Sequence, residues 1–363
     1  MFVLIFSETF FILKNRYRNV YRMKKYYIRQ YSFPEYEHGG IGFADAETIL
    51  AKEGFQPITF PCHHQFSVKA KLIRLIFLLN VYFSTNGPAI VVFIFPAYAG
   101  MTKLLLRLLS WKSRIHIICF IGDIDGIKDG NKKKLEIEIK QFRRYRYFIV
   151  HNDAMRQWLQ LRINEGNCAV LEFFDFLAAP INKFRALSFD IVFAGNLEKS
   201  KFLESLHLLL DKTSSKIHFN LYGPGYTASM AMQKRVYWFG IEKPYDLPAK
   251  INGSFGLVWD GDSIDEPGGS LGDYMQYISH HKLSLYILSG LPVIVPAAAA
   301  TAPLVEKYKI GITIRSLFEI ESKIKGITNV EYQQMKRNMQ PLAEKISKGG
   351  CIKEALQKLI PKI

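Results

Sequence analysis

The chain has 363 residues, 49% of them hydrophobic and 22% charged, with a formal net charge of +16, enough apolar material for two hydrophobic cores of ordinary size rather than one. Its four cysteines, Cys62, Cys119, Cys168 and Cys351, stand far apart with no C-x-x-C pair and no histidine at metal-ligand spacing, which excludes a structural zinc and points to buried thiols in a reducing compartment. No H-E-x-x-H motif is present, so zinc proteolysis has no support.

The charge is uneven. Residues 1–188 hold 27 Lys and Arg against 15 Asp and Glu, a net of +12, and the remainder carries +4. Such a basic first half attracts nucleic acid, an anionic membrane surface or a phosphate-bearing substrate alike. Residues 1–22 put an apolar block, interrupted by Glu8, ahead of a basic one. That is the reverse of a secretory signal, and the segment is expected to be an upstream extension or an amphipathic tag. No apolar run reaches the roughly 18 residues of a spanning helix; residues 72–83 and 89–95 are the nearest.

From residue 23 onward, strand-length apolar runs alternate with helical periodicity, the pattern of βαβ units on parallel sheets. Strands are predicted at 25–29, 56–60, 90–95, 115–120, 147–150 and 169–173, with helices at 43–53, 68–83, 101–109, 135–145 and 154–162 between them. These make one doubly wound domain over 23–175. Residues 176–188 contain Pro180 and lack periodicity, as a linker does. A second domain over 189–363 has strands at 190–193, 217–222, 236–239, 255–259, 292–295 and 311–314, and helices at 281–289, 302–307, 331–347 and 352–359. The expected fold is α/β, two Rossmann-like domains facing a central cleft, with ligands at the carboxyl ends of the strands.

Several turns at those ends carry candidate chemistry. Residues 255–296 run from a strand through a Gly/Asp/Pro-rich loop onto His281, Lys282, Leu283 and Ser284, which open a helix. Unpaired N–H groups and the positive end of the macrodipole make such a start an anion site. Lys282 in the first turn opposes the dipole, so a negative group is expected to offset it. A diphosphate would serve; a solvated lysine at an ordinary helix start is the plainer alternative. Gly195, Asn196 and Lys199 follow the first strand of the second domain, where a glycine admits a ligand to the backbone. Tyr222 and Gly223 end the next strand, though turn chemistry alone accounts for the glycine.

In the first domain, Gly39, Gly40 and Gly42 lie between the first strand and helix, without the lysine of a P-loop or the spacing of a dinucleotide fingerprint. Two D-x-D pairs, Asp123/Asp125 and Asp260/Asp262, each follow a strand. Such pairs hold a hard cation or supply a base, and equally serve as local turn stabilisers. His151 precedes Asn152 and Asp153, either of which suits a helix N-cap.

With these residues set out, the stretch FGLVWDGDS…GDYMQY…HKLSLYILSGLPVIV resembles the C-terminal domain of bacterial β-1,6-galactofuranosyltransferases and of the glucosyltransferases that extend glycans on serine-rich adhesins. FAGNLEKSKF at 193–202, LYGPGY, the DID turn at Asp123 and HNDAM at 151–155 support the match, which covers most of residues 24–360. The resemblance implies a GT-B fold, a UDP-sugar donor held mainly by the second domain, and no metal or other cofactor. It implies that Lys199 and the turn from His281 through Lys282 and Leu283 to Ser284 bind UDP, that Gly195 and Asn196 shape the pocket, and that the glycine turn near Gly40 approaches the donor. This chain departs from the pattern where it reads Ile278-Ser279-His280-His281-Lys282 and where Gly122 replaces a histidine before the DID turn.

The expected reaction is inverting transfer of a hexose, galactofuranose favoured, to a glycan acceptor, with Asp123 or Asp125 as base and His151 behind. The acceptor is expected to be lipid-linked, at the inner face of the cytoplasmic membrane, which a cytoplasmic, peripheral and self-associating protein would reach through its basic half. A non-catalytic glycosyltransferase-like subunit is the alternative. Nucleic-acid binding and NAD chemistry are disfavoured.

Overall fold

The computed structural model describes residues 23–30, 40–62, 65–163, 166–214 and 216–363. The expected extension over 1–22 and Gly39 lie outside them. Two six-stranded sheets, parallel throughout, form the frame. The first comprises β1 (Lys24–Ile28), β2 (Gln56–Ile58), β3 (Ala89–Phe95), β4 (Ile115–Ile121), β5 (Tyr147–Val150) and β6 (Asn167–Val170), in the order β2-β1-β3-β4-β5-β6. The second comprises β7 (Asp190–Ala194), β8 (His218–Tyr222), β9 (Val236–Trp238), β10 (Phe255–Leu257), β11 (Val293–Pro296) and β12 (Gly311–Ile314), in the order β12-β11-β10-β7-β8-β9.

Central strands form on the most apolar runs. Every side chain of β3, AIVVFIF, is buried, because helices cover both faces of a parallel sheet. In the second sheet the chain direction of winding reverses between β7 and β10, and in the first between β1 and β3. Such switch points leave a crevice at the carboxyl ends of the strands. The loops after β7 and β10 carry Gly195 and Asp260 into that crevice.

Several helix starts are fixed by side-chain caps. Ser67 accepts from Ala70 N–H at the helix Val68–Ser84, Asn131 from Lys134 at Lys132–Phe142, and Asn152 from Met155 at Asp153–Gln160, while Thr328 and Glu331 form a capping box at Asn329–Ser347. Short helices at Leu206–Leu210, Ala228–Ala231, Leu247–Lys250, Gly269–Tyr274 and Ile320–Lys325 were not anticipated from the sequence. One or two turns are too few for an apolar period to show.

The last helix, Gly350–Leu359, was assigned to the second domain but packs against β6 and the first-domain helix Ile41–Lys52. Its side chains Ile352, Leu356 and Leu359 join Ile49, Leu50 and Ile90 in one buried cluster that continues to Val293 and Val295 of the second sheet. The crossing is pinned by Asp175, whose carboxylate accepts the N–H of Cys351 at 3.0 Å and of Ile352 at 2.8 Å, satisfying donors that a helix start leaves orphaned. Burial pushes the Asp175 carboxyl up to about 6, against the pull of those two N–H groups. Asp175→Ala is expected to lower the free energy of unfolding by about 2–3 kcal/mol, since two buried N–H groups lose their acceptor; urea denaturation reads it, and an unchanged midpoint would show that the cap is dispensable.

Candidate active site

A cleft of about 570 Å³ opens at the switch point of the second sheet, walled by Gly195, Asn196 and Lys199 after β7, Tyr222 and Gly223 after β8, and His281 and Lys282 at the start of the helix His281–Leu288. Seven of the residues proposed from sequence therefore line one space. That volume is in the range of pockets that enclose a nucleotide-sized ligand. Ile41, from the first domain, closes the opposite wall, and Phe176 of the linker, Glu242 and Leu247 complete it. Nothing in the sequence signals Glu242 and Leu247, because Glu242 sits in an irregular stretch after β9 and Leu247 opens a single-turn helix that shows no period.

Lys282 is held from two sides. Its Nζ lies 2.6 Å from Oδ1 of Asp260 and 4.3 Å above the centroid of the Phe193 ring. The ring face attracts the ammonium through its quadrupole. Burial works against the charge of Asp260, yet Lys282, with His280 beside it, holds the carboxyl well below the usual range. Nε2 of His280 is 2.9 Å from Oδ2, close in distance although not aligned as a hydrogen bond. The negative group expected opposite Lys282 is thus a carboxylate of the protein itself, twenty-two residues upstream. This assigns Asp260 an electrostatic role, and not the cation-binding or base role weighed for its D-x-D pair.

The glycines follow from the same geometry. A Cβ on Gly195 would lie 2.9 Å from Cε of Lys282, and one on Gly223 would lie 1.9 Å from the carbonyl oxygen of Gly195. Any side chain at either position would push the lysine or the neighbouring turn aside. Asn196 accepts the N–H of Lys199 at 3.1 Å and so fixes the turn that presents that lysine. The hydroxyl of Tyr222 accepts from Asn252 N–H, and its ring stacks on Phe239 at 5.2 Å.

A second recess of about 190 Å³ adjoins the first and shares Ile41 and His281 with it. Gly40, Gly42, Gly122 and Asp123 line it from the first domain, and Ser279 and His280 from the second. Gly40 takes a left-handed φ of 86° as it starts the helix Ile41–Lys52, and a Cβ on Gly42 would come within 2.9 Å of the His281 ring. These glycines let the two domains meet. Asp123 lies at the lip, its side chain 23% exposed, paired with Lys128 at 2.8 Å and accepting from the Tyr274 hydroxyl at 3.2 Å.

Four sequence assignments are corrected by these positions. His151 is fully buried; its Nε2 faces the Ile121 carbonyl at 2.9 Å and its Nδ1 accepts the N–H of Ser279 at 3.2 Å. That network assigns a neutral ring with no lone pair to spare, and burial pushes its pKa down to about 4, so it is no proton acceptor. Asp125 is buried against Lys134 at 2.9 Å, behind the recess. Leu283 packs in the core cluster. Ser284, wholly buried, donates to the carbonyl of Phe174 at 2.6 Å. Both of these side chains point away from the cleft because a helix turns successive residues by about 100°. Asn152, by contrast, does cap its helix, and its amide also donates to Tyr277 O and Ser279 Oγ across the domain seam.

Comparison with known proteins gives the family and the fold. Two family models match, glucosyltransferase 3-like N-terminal domain over residues 25–162 and glucosyltransferase 3-like C-terminal domain over 191–359. The chain belongs to the glucosyltransferase 3-like glycosyltransferases. It is 25% identical to the β-1,6-galactofuranosyltransferase WbbI of Escherichia coli K12, over 92% of this chain and 98% of that one, and 29% identical to glucosyltransferase 3 of Streptococcus gordonii over 32% of this chain and 34% of that one. Among solved structures, Anabaena Alr3699/HepE in complex with UDP superposes with a TM-score of 0.60 at 14% identity, covering 94% of this chain and 100% of that one. The fold is GT-B. In this glucosyltransferase 3-like chain the seam residues are testable apart from the cleft: Ser284→Ala is expected to cost about 1–3 kcal/mol of stability by leaving the Phe174 carbonyl unpaired. Chemical denaturation measures it, and a neutral outcome would show that this hydrogen bond is dispensable.

Proposed function

We propose that this glycosyltransferase moves a hexosyl group, galactofuranose first among the candidates, from UDP to a hydroxyl of a glycan acceptor, with inversion at the anomeric carbon. The observation that carries the reading is the placement of Lys282, anchored by Asp260 and Phe193 at a helix N-terminus and facing Gly195 and Lys199. Full-length similarity to a galactofuranosyltransferase and the UDP complex of a structural neighbour support the donor class.

In this reading the diphosphate lies against the first turn of the helix His281–Leu288, where the macrodipole favours negative charge. Lys282 and Lys199 flank it. Asp260 keeps the Lys282 ammonium in place and partly neutralised until the diphosphate arrives. The acceptor oxygen attacks the anomeric carbon, the bond from that carbon to the diphosphate oxygen breaks, and UDP departs carrying the electron pair. Preorganised cations and N–H dipoles aimed at the departing oxygens lower this barrier without reorganisation. The acceptor proton passes to the Asp123 carboxylate, which its partners Lys128 and Tyr274 orient at the lip of the recess. The cleft supplies its own positive charge, so the reading includes a reaction that needs no metal.

Lys282→Ala is expected to weaken UDP binding at least about tenfold, or 1.4 kcal/mol, by calorimetry; normal affinity would remove the central assignment. Asp123→Asn is expected to lower kcat by about a hundredfold or more with the donor KM little changed, whereas Asp125→Asn should act on stability. Equal loss of kcat in both would mean that the turn, rather than one carboxylate, is what matters. Comparing turnover of UDP-galactofuranose, UDP-galactopyranose and UDP-glucose, with and without EDTA, tests sugar and metal separately: a faster pyranose reaction rejects the sugar assignment, and loss of activity in EDTA rejects metal independence.

A further inference from the structure

The helix Val68–Ser84 is apolar on two opposite sides. One side, with Ala70 and Leu78 buried, packs on the first sheet. On the other, Val68, Leu72, Leu75, Ile76, Leu79 and Phe83 are exposed, from 38% to 82%. At 3.6 residues per turn these six fall within an arc of about 100°, running the whole length of the helix. Phe66, just before the helix, is 81% exposed and extends the same ridge. A contiguous exposed apolar patch of this kind marks an interaction surface.

The charges around the ridge select its partner. Lys69 and Lys71 are exposed at the two borders of the arc, where their stems can lie along an apolar surface while the ammonium reaches a polar layer. Next to this helix packs Gly100–Leu109, and between that one and Lys132–Phe142 runs a groove lined by Lys103, Arg107, Lys140 and Arg144. No carboxylate is among the described residues that line it. Leu104 and Ile137, both exposed, border the groove. Apolar side chains at the crest with cations at the flanks match a membrane interface, acyl chains below and anionic headgroups above. Among the described residues no helix is long and apolar enough to cross a membrane, so the contact is in plane.

We propose that the ridge of Val68–Ser84 with its adjoining basic groove docks this protein on an anionic lipid surface. The helix follows β2, so its first turn lies at the carboxyl end of the first sheet, the same end that opens on the cleft. Docking there places the first-domain recess beside the headgroup layer. The inference does not depend on which donor the second domain holds.

Flotation of the full chain with vesicles tests it. Binding to phosphatidylcholine vesicles holding about 30% phosphatidylglycerol should exceed binding to pure phosphatidylcholine at least about fivefold and fall with salt. Leu72→Glu with Ile76→Glu should reduce flotation at least about tenfold, with circular dichroism and UDP affinity unchanged. A second pair, Lys69→Glu with Lys71→Glu, alters only exposed border residues and should weaken binding to anionic vesicles while leaving folding intact. Unchanged flotation of both pairs, or none by the original chain, overturns the proposal. So does a dimer in sedimentation that Leu72→Glu with Ile76→Glu converts to monomer, which would make a second copy the occupant of the ridge.

Discussion

An ammonium group at the start of a helix stands where the backbone dipole repels it, and the second domain is arranged around making that tenable. Asp260 at 2.6 Å and the face of Phe193 at 4.3 Å hold Lys282 in a partly buried seat. Three chain segments must be positioned for this: the loop after β10 for the carboxylate, β7 for the ring, and the helix His281–Leu288 for the lysine. Their convergence is a property of the strand order, because β7 and β10 are neighbours at the switch point. The glycine at 195 follows from it, since a larger residue would meet the lysine stem. In a low-dielectric cleft a charge placed in this manner acts strongly on an incoming anion, and its counter-ion sets how much of that attraction is available.

The seam between the domains is made by residues that look catalytic in one dimension. His151, Asn152 and Asp123 each end up bonded to residues 274–279 of the other domain, His151 through Ser279 N–H and Asp123 through the Tyr274 hydroxyl. Tyr274 also accepts the N–H of Ile124 at 2.7 Å. These polar ties are buried or nearly so, and a satisfied buried network specifies one relative placement more sharply than apolar contact does. Burial at the same seam removes His151 from proton chemistry and leaves Asp123 at its edge.

Most of the fold was legible because both sheets are parallel and covered on both faces, so β3 and β11 read as unbroken apolar runs and β4 and β7 as nearly unbroken ones, interrupted only by His116 in β4 and by Asp190 at the start of β7. Switching periodicity supplied the long helices. The short ones were illegible, as one turn holds no period. Within the site, the misplacement of a lysine at a helix start could be read directly, but the identity of its counter-charge could not, since Asp260 becomes its neighbour only after β10 and the intervening loop fold. Ser284 and Leu283 were drawn in by adjacency to Lys282, although helical geometry turns them inward. The partners of His151 are 30 and 128 residues away, and nothing local in the sequence announces them.

The helix Gly350–Leu359 covers β6 and the helix Ile41–Lys52 of the first domain, while Gly349 abuts Ile49 so closely that a Cβ would sit 2.7 Å from its Cγ1. On the ribosome the entire second domain emerges between the first sheet and the helix that caps it. The nascent first half therefore waits with β6 and the helix Ile41–Lys52 partly uncovered, and it gains that cover only after the second domain has been made. Vectorial synthesis and domain-by-domain folding are thus out of step in this chain.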